Sequence, residues 1–160
     1  MKKISITNSA ILYNDISELS PKDFSLMEEA KKATQNAYAP YSKFNVGCAI
    51  LLENGIIVHG SNQENAAYPS GMCAERVAIW KVGNDYPNVI IKKIAITVKS
   101  ENKTINTPLP PCGACRQTLS EFEINQQQPI EILFMGEIGQ IVKTESLLSL
   151  LPFHFDSSYL

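Results

Sequence analysis

The sequence predicts an α/β fold in which helices cover both faces of one β-sheet. Five apolar, β-prone runs alternate with helical segments, a pattern typical of α/β domains. The predicted strands are residues 44–52, 56–61, 89–98, 130–135 and 140–143. At 160 residues, with 44% hydrophobic and 19% charged residues, the chain has the size and composition of one globular domain.

The first predicted helix and the first hairpin carry the clearest local signals. Ser20 is a candidate N-cap and Pro21 favours the first helical position, so we predict a helix to Tyr38, ended by Pro40. Asn54-Gly55 between two apolar runs is typical of a tight hairpin turn. Further helices are predicted at 73–82 and 113–122, with a short one at 145–151.

Residues 1–19 mix short apolar groups with Asn, Ser and Asp ahead of the first predicted helix. We predict an N-terminal extension here, which either packs as a strand or stays mobile, followed by a single catalytic domain at 20–160. No segment develops the apolar length of a signal peptide or the ~20 apolar residues of a membrane span. The sequence therefore favours a cytoplasmic protein with no membrane partner.

The charge distribution favours a small substrate. The net charge is −2, and basic residues occur at most in pairs along the chain. A protein that binds DNA or RNA needs a clustered basic surface to neutralise phosphates. We therefore expect a small molecule, and no nucleic acid, as the partner.

Three of the four cysteines have the spacing of a catalytic zinc site. Cys112 and Cys115 form a C-x-x-C at a predicted helix start, which places both sulfurs on one side of the first turn, and Cys73 begins another helix. In a reducing compartment this spacing indicates metal binding or catalysis rather than a disulfide. Three sulfurs leave the fourth tetrahedral position of Zn²⁺ open for a water whose pKa falls to about 7.

Charged side chains next to these cysteines suit the same chemistry. Glu75, two residues after Cys73, can take a proton from the water and pass it to a substrate nitrogen. Three thiolates weaken the ion as a Lewis acid unless a hydrogen-bond donor withdraws charge from sulfur. Arg76 is the preferred donor, and Arg116 is the other candidate.

Two other interpretations of the cysteines stay open at this point. C-x-x-C alone is equally typical of a structural zinc or of a redox dithiol. A structural zinc requires a fourth ligand, and His59 is the best candidate, although a histidine in a predicted strand more often lies at the surface or packs. The Cys73-Ala74-Glu75 motif favours the catalytic interpretation.

Several motifs together resemble the small, all-cysteine cytidine deaminases over about residues 36 to 155. They are YAPYSKF at 38–44 with Val46-Gly47, NQENA at 62–66, CAER at 73–76, PCGACRQ at 111–117, and LLP at 150–152 with Phe155. The resemblance implies a three-layer α/β/α sandwich on a mixed five-stranded sheet. It also implies that Cys73, Cys112 and Cys115 bind zinc and that Glu75 transfers protons.

The resemblance further implies how a nucleoside is bound. Phe44 would stack on the pyrimidine, Asn62 and Glu64 would hydrogen-bond a ribose hydroxyl, and backbone groups around Ala66 and Ala74 would hold the base. Stacking on an aromatic ring contributes ~1–3 kcal/mol per base. An amide paired with a carboxylate can favour a sugar that carries a hydroxyl over one that lacks it.

The resemblance also implies a homotetramer, in which Tyr68 and Phe155 help to complete a neighbour's pocket. Three features depart from the family pattern. Pro110 stands where serine is common, Cys48 stands where alanine is common, and residues 1–19 lengthen the usual start. Pro110 keeps its carbonyl, so a role of that oxygen in guiding ammonia out is retained.

The resulting hypothesis is a hydrolase of pyrimidine salvage, which converts cytidine, and deoxycytidine, to uridine or deoxyuridine and ammonia. One alternative is a deaminase of another aminopyrimidine nucleoside, such as a nucleoside antibiotic. The other is a structural-zinc or dithiol protein without hydrolase activity.

Overall fold

A six-stranded sheet lies at the centre of the computed structural model, which describes residues 1–160. In chain order the strands are β1 (Ile11–Tyr13), β2 (Phe44–Leu52), β3 (Ile57–Ser61), β4 (Ile91–Ser100), β5 (Glu131–Met135) and β6 (Ile141–Thr144). Their order across the sheet is β1-β6-β5-β4-β2-β3. Strands β4 and β5 are parallel and every other neighbouring pair is antiparallel, so the sheet is mixed.

Three α-helices cover the sheet: α1 (Pro21–Ala33), α2 (Ala74–Asp85) and α3 (Gly113–Gln126). Helix α1 contributes to a core cluster on one face of the sheet, whereas α2 and α3 share the larger cluster on the other face. The predicted three-layer α/β/α architecture is therefore confirmed. None of these helices combines the length and apolar character that a membrane crossing requires.

The predicted number of strands is wrong by one, because β1 adds a sixth strand to the sheet. It pairs antiparallel with β6, with Ile11 opposite Lys143 and Tyr13 opposite Ile141. A three-residue strand is too short to show a period-two pattern in the sequence. Tyr13 also packs against the core cluster of α1, and Leu19 is buried there.

The first helix begins as predicted and ends earlier than predicted. The Ser20 hydroxyl accepts a hydrogen bond from Asp23 N at 3.2 Å, and Pro21 occupies the first turn. The α-helix ends at Ala33 and is followed by a 3-10 turn rather than continuing to Tyr38. Tyr38 N instead donates to Asn62 O at 2.9 Å. Tyr38 is therefore extended, and this hydrogen bond to a distant part of the chain replaces a hydrogen bond within the helix.

Two glycines let helices approach the sheet closely. A Cβ on Gly60 of β3 would collide with the Ala74 carbonyl oxygen and lie 2.5 Å from Ala78 N. A Cβ on Gly47 of β2 would collide with the Ala30 carbonyl oxygen on the opposite face. The absent side chain of Gly60 therefore fixes where the first turn of α2 lies.

A cluster of four charged side chains joins α1 to the sheet. Asp23 of α1 is only 2% exposed and lies 2.6 Å from Lys93 Nζ and 3.1 Å from Lys143 Nζ. The same lysines contact Glu131 at 3.1 and 2.6 Å. Burial alone disfavours ionisation of Asp23, but hydrogen bonds from the two lysines outweigh it and lower the pKa of Asp23.

Candidate active site

Three cysteine sulfurs meet where α2 and α3 begin. Cys73 and Cys112 are the N-cap residues of α2 and α3, and Cys115 lies fully buried in the first turn of α3. All three Sγ atoms lie within 4.8 Å of one another, and the Cys73 and Cys112 sulfurs are 3.9 Å apart. Tetrahedral zinc with Zn–S bonds of ~2.3 Å places its sulfurs ~3.8 Å apart, so the cluster fits this ion.

Hydrogen bonds within this group favour a thiolate at Cys73. Cys115 and Arg76 donate to its sulfur, with Arg76 Nη2 at 3.7 Å, and they lower the pKa of Cys73 to about 5. The same contact with Cys73, together with burial, raises the pKa of Cys115. These contacts favour the thiolate form of Cys73, which is the form that binds zinc.

Arg76 is the third residue after Cys73, in the first turn of α2, and its guanidinium also lies over an aromatic ring. The guanidinium carbon lies 5.9 Å from the ring centroid of Trp80, a cation–π distance. Its Nε is buried and has no hydrogen-bond partner. The guanidinium is thus held between a thiolate and an indole ring.

Arg116 contacts backbone carbonyls. Its Nε donates to Pro111 O at 2.8 Å, and its Nη1 donates to Leu150 O at 3.1 Å. Leu150 ends a 3-10 helix, Leu147–Leu150, near the C-terminus. Arg116 therefore connects the loop before Cys112 to the C-terminal part of the chain.

Glu75 lies in the first turn of α2 and is only 5% exposed. Burial is the main cause that raises the pKa of Glu75, and negative charge on Cys73 acts in the same direction. A carboxyl group with a raised pKa is better able both to accept and to donate a proton near neutral pH. Glu75 and Cys73 line the same cavity.

His59 lies away from the sulfurs. Side chains alternate along β3, so Gly60 faces α2 while His59 points to the face covered by α1. There His59 Nε2 is 2.8 Å from Glu29 Oε2. The group of side chains able to hold a metal contains the three cysteines and no histidine.

A cavity of about 620 Å³ opens beside Cys73 and Glu75. This volume is within the range of small-molecule sites. Nine of the residues assigned from the sequence line it: Asn62, Glu64, Tyr68, Cys73, Ala74, Glu75, Arg76, Pro110 and Cys112.

The Asn62 side chain is fixed to β2 by two hydrogen bonds. Its Oδ1 accepts from Val46 N at 2.7 Å, and its Nδ2 donates to Phe44 O at 2.9 Å. An amide nitrogen carries two N–H groups, so one donor stays free. Asn62 can therefore offer a donor to a ligand in the cavity from a rigid position.

The Glu64 carboxylate is held by the turn that precedes β2. One oxygen accepts from Tyr41 N at 3.0 Å and Ser42 N at 3.2 Å, and the other accepts from the Ser42 hydroxyl. The hydrogen bond from Ser42 is the largest cause that lowers the pKa of Glu64. The ionised carboxylate has acceptor capacity left, because two oxygens offer about four lone-pair sites.

Phe44, Ala66 and Phe155 do not line the cavity within one chain. Phe44 is half-buried at the start of β2, on the same strand face as Val46, which does line it. Ala66 is exposed in a loop. Phe155 is 57% exposed and stacks on Tyr159 with ring centroids 5.6 Å apart.

The cavity also contains residues that the sequence analysis gave no role. They are Tyr41, Ser42, Val46, Gln63, Asn65, Gly71, Met72, Ile96 and Leu109. Val46 follows Phe44 by two positions, so strand alternation could have identified it. Ile96 comes from β4, where it is paired with Cys48, and only the strand order brings it to the site.

Comparison with known proteins gives one consistent result. The family model of the cytidine and deoxycytidylate deaminase zinc-binding region matches residues 20–128. A cytidine deaminase from Sporosarcina psychrophila is 40% identical over 137 residues, which are 84% of this chain and 93% of that protein. One from Halalkalibacterium halodurans is 43% identical over 122 residues, which are 76% of this chain and 88% of that protein.

Solved structures agree with the sequence relatives. The crystal structure of cytidine deaminase from Burkholderia pseudomallei has a TM-score of 0.71 and 33% identity, and the match covers 86% of this chain and all of that one. The cytidine deaminase from Mycobacterium tuberculosis has a TM-score of 0.63 and 29% identity, with 82% of this chain and 95% of that one covered. The matched family region binds zinc and the three sulfurs fit it, so Zn²⁺ is the cofactor. This chain belongs to the cytidine deaminase family.

Proposed function

We propose that the chain catalyses the hydrolytic deamination of cytidine and deoxycytidine to uridine and deoxyuridine, with release of ammonia, in pyrimidine salvage. The observation that carries the proposal is the placement of a buried glutamate and a three-cysteine cluster beside a cavity whose volume is within the range of small-molecule sites. Family membership supports the same reaction. A redox dithiol uses two sulfurs, whereas three cluster here.

Cys73, Cys112 and Cys115 are the zinc ligands in this proposal. Zinc bound by three sulfurs supplies a Lewis acid that activates a water molecule at neutral pH. Arg76 donates a hydrogen bond to the Cys73 thiolate, which withdraws charge from that sulfur.

Glu75 is the proton carrier. It accepts one proton from the attacking water and delivers it to N3 of the pyrimidine. It then takes the remaining proton from the hydroxyl at C4 and passes it to the amino group, so that the C4–N bond breaks, ammonia leaves and the C4 carbonyl forms. Its burial holds the carboxyl pKa above the ordinary value, which makes proton return to the substrate easier. Val46 and Ile96 give part of the cavity wall apolar side chains.

The sugar is recognised by a matched donor and acceptor. The free N–H of Asn62 donates to a ribose hydroxyl, and that hydroxyl donates to the Glu64 carboxylate. Phe44 stacks on the pyrimidine from the strand face it shares with Val46, and backbone groups near Ala66 and Ala74 hold the base. A hydroxyl is both donor and acceptor, so the pair suits it better than either residue alone.

We also propose that the active form is a cytoplasmic homotetramer whose catalytic domain comprises residues 20–160, with 1–19 as an extension. Tyr68 and Phe155 are 79% and 57% exposed in the single chain, as expected for aromatic side chains that a neighbouring subunit covers. In a reducing cytoplasm the cysteine thiols stay available for zinc. Light scattering coupled to size-exclusion chromatography would test the tetramer, and a monomeric active enzyme would refute it.

The deamination itself is tested by ammonia release from cytidine with the zinc-loaded protein. Glu75→Gln should lower kcat by about 100-fold or more, because the amide cannot carry the proton. Zinc content and thermal stability of the variant serve as controls, since the amide keeps the shape of the side chain. Wild-type turnover no faster than that of Glu75→Gln would overturn the proposal.

A further inference from the structure

We propose that Ser42 is a positioning residue, which aims the Glu64 carboxylate at the sugar and ties it to the start of the strand that carries Phe44. The proposal rests on the proposed function, in which Glu64 receives a hydrogen bond from a ribose hydroxyl. The sequence alone gives Ser42 no role beyond membership of a motif.

The first observation concerns the hydrogen bonds of Glu64. All three come from the turn before β2, and Ser42 supplies two of them, one from its backbone N at 3.2 Å and one from its hydroxyl. Tyr41 N supplies the third at 3.0 Å. The oxygen that accepts from the Ser42 hydroxyl has this contact alone, so it retains a lone pair for the substrate. Ser42 thus determines the direction in which that oxygen faces.

The second observation is that the Ser42 hydroxyl also accepts. Phe44 N donates to Ser42 Oγ at 3.1 Å. The hydroxyl therefore bridges the first residue of β2 and the Glu64 carboxylate. One side-chain oxygen therefore connects the carboxylate that contacts the sugar to the backbone of the strand that carries Phe44.

The third observation is that the turn has supports independent of this hydroxyl. Lys43 N donates to Ala39 O at 3.0 Å, and Glu101 N donates to Lys43 O at 3.0 Å. Asn102 Nδ2 donates to Ser42 O at 3.0 Å. Lys43 adopts φ 56°, a left-handed conformation that a non-glycine residue keeps only when its surroundings hold it. Removal of the hydroxyl should therefore leave the turn in place, and Phe44 stays paired with Ser100 of β4. Its main effect is then to release the Glu64 oxygen that the hydroxyl holds.

The test compares Ser42→Ala with wild type on two substrates, cytidine and 2′,3′-dideoxycytidine, which lacks both ring hydroxyls of ribose. With cytidine we expect KM to rise about 10-fold while kcat changes less than about two-fold. With the dideoxy substrate we expect no change in kcat/KM, because the contact that Ser42 supports is absent there. Ser42→Thr, which keeps the hydroxyl, should restore the cytidine KM.

A double variant separates positioning from general stability. Ser42→Ala combined with Glu64→Gln should be no worse on cytidine than Glu64→Gln alone, because both changes remove one contact. Equal losses on the two substrates, or additive effects in the double variant, would overturn the role of Ser42. A wild-type enzyme that deaminates cytidine and yet does not discriminate against the dideoxy substrate would overturn the role of Glu64 as well. Absence of cytidine turnover by zinc-loaded wild type would refute the proposed function itself.

Discussion

Among the residues that are not zinc ligands, we expect Arg76 to affect zinc affinity most. Its guanidinium is the charged donor to Cys73, and its Nε has no partner to hold it elsewhere. We expect Arg76→Ala to weaken zinc binding by about 10-fold to 100-fold, as loss of a partner to a metal ligand generally does. Competition with a chromogenic chelator measures this.

Two variants serve as controls for that measurement. Trp80→Phe keeps an aromatic ring for the guanidinium and leaves the contact with sulfur, so its zinc affinity should stay near wild type. Arg76→Lys keeps the charge and loses the planar guanidinium, so its zinc affinity should lie between those of wild type and Arg76→Ala. Wild-type zinc retention in Arg76→Ala would show that the contact with Cys73 does not support the metal.

At the residue scale the sequence predicted those groups whose chemistry depends on local spacing. Cys112 and Cys115 share one helical turn, and Glu75 follows Cys73 by two positions, so a single chain segment determines each arrangement. The sequence did not predict the contacts of Glu64, because these contacts come from a turn 22 and 23 residues earlier in the chain. That turn includes a left-handed lysine, which sequence pattern does not predict.

At the element scale, the contact of β3 with α2 supports the site. Gly60→Ala would place a methyl group against the Ala74 carbonyl and Ala78 N, both backbone atoms of α2. We expect a loss of about 1–3 kcal/mol in the free energy of unfolding, the usual cost of overpacking. The displaced first turn of α2 should also lower kcat, because Glu75 belongs to it. Urea unfolding and cytidine turnover measure the two effects.

Gly113→Ala is the matched control for this substitution. Gly113 also lies beside the cysteines, at the first position of α3, but a Cβ there meets no atom within 4 Å. Its stability should match wild type or rise slightly, since alanine restricts the unfolded chain more than glycine does. Equal stability of the Gly60 and Gly113 variants would contradict the close packing of α2 on β3.

The elements themselves were predicted to different degrees. Helix α1 and the hairpin have local signals, Ser20-Pro21 and Asn54-Gly55, and both begin or turn where expected. The end of α1 was missed because pairing of Tyr38 with Asn62 and Gln63 competes with the helix. The sequence leaves strand β1 as one of two alternatives for residues 1–19, because its partner, β6, is more than 120 residues away in the sequence.

At the scale of the whole molecule, the charge cluster around Asp23 links acid stability to folding. The pKa values of Asp23 and Glu131 lie below their ordinary 3.8 and 4.5. Each carboxylate therefore stabilises the folded state fully at pH values above its ordinary pKa. This stabilisation is lost as the pH falls through the lower pKa that the carboxyl group has in the folded state. We expect a steep loss of stability below about pH 4, visible in thermal unfolding across a pH series.

Asp23→Asn tests the origin of that loss. It leaves Lys93 and Lys143 without their buried partner, so unfolding at neutral pH should become about 3 kcal/mol easier, and the acid dependence should become shallower. Asp85→Asn, at the exposed end of α2, should leave both quantities near wild type. An unchanged acid profile in Asp23→Asn would mean that other carboxylates control acid unfolding.

Strand β1 should protect the protein from aggregation during storage. While Ile11–Tyr13 lie along β6, the hydrogen-bonding groups of Ile141–Thr144 are occupied on that side. A chain shortened to begin at Ser20 would offer those groups to other molecules, and unpaired sheet edges are templates for aggregation. Stored samples of the shortened chain should therefore grow in light-scattering mass over days while the full chain stays constant. Three residues of the N-terminal segment should thus affect how long the purified enzyme can be stored.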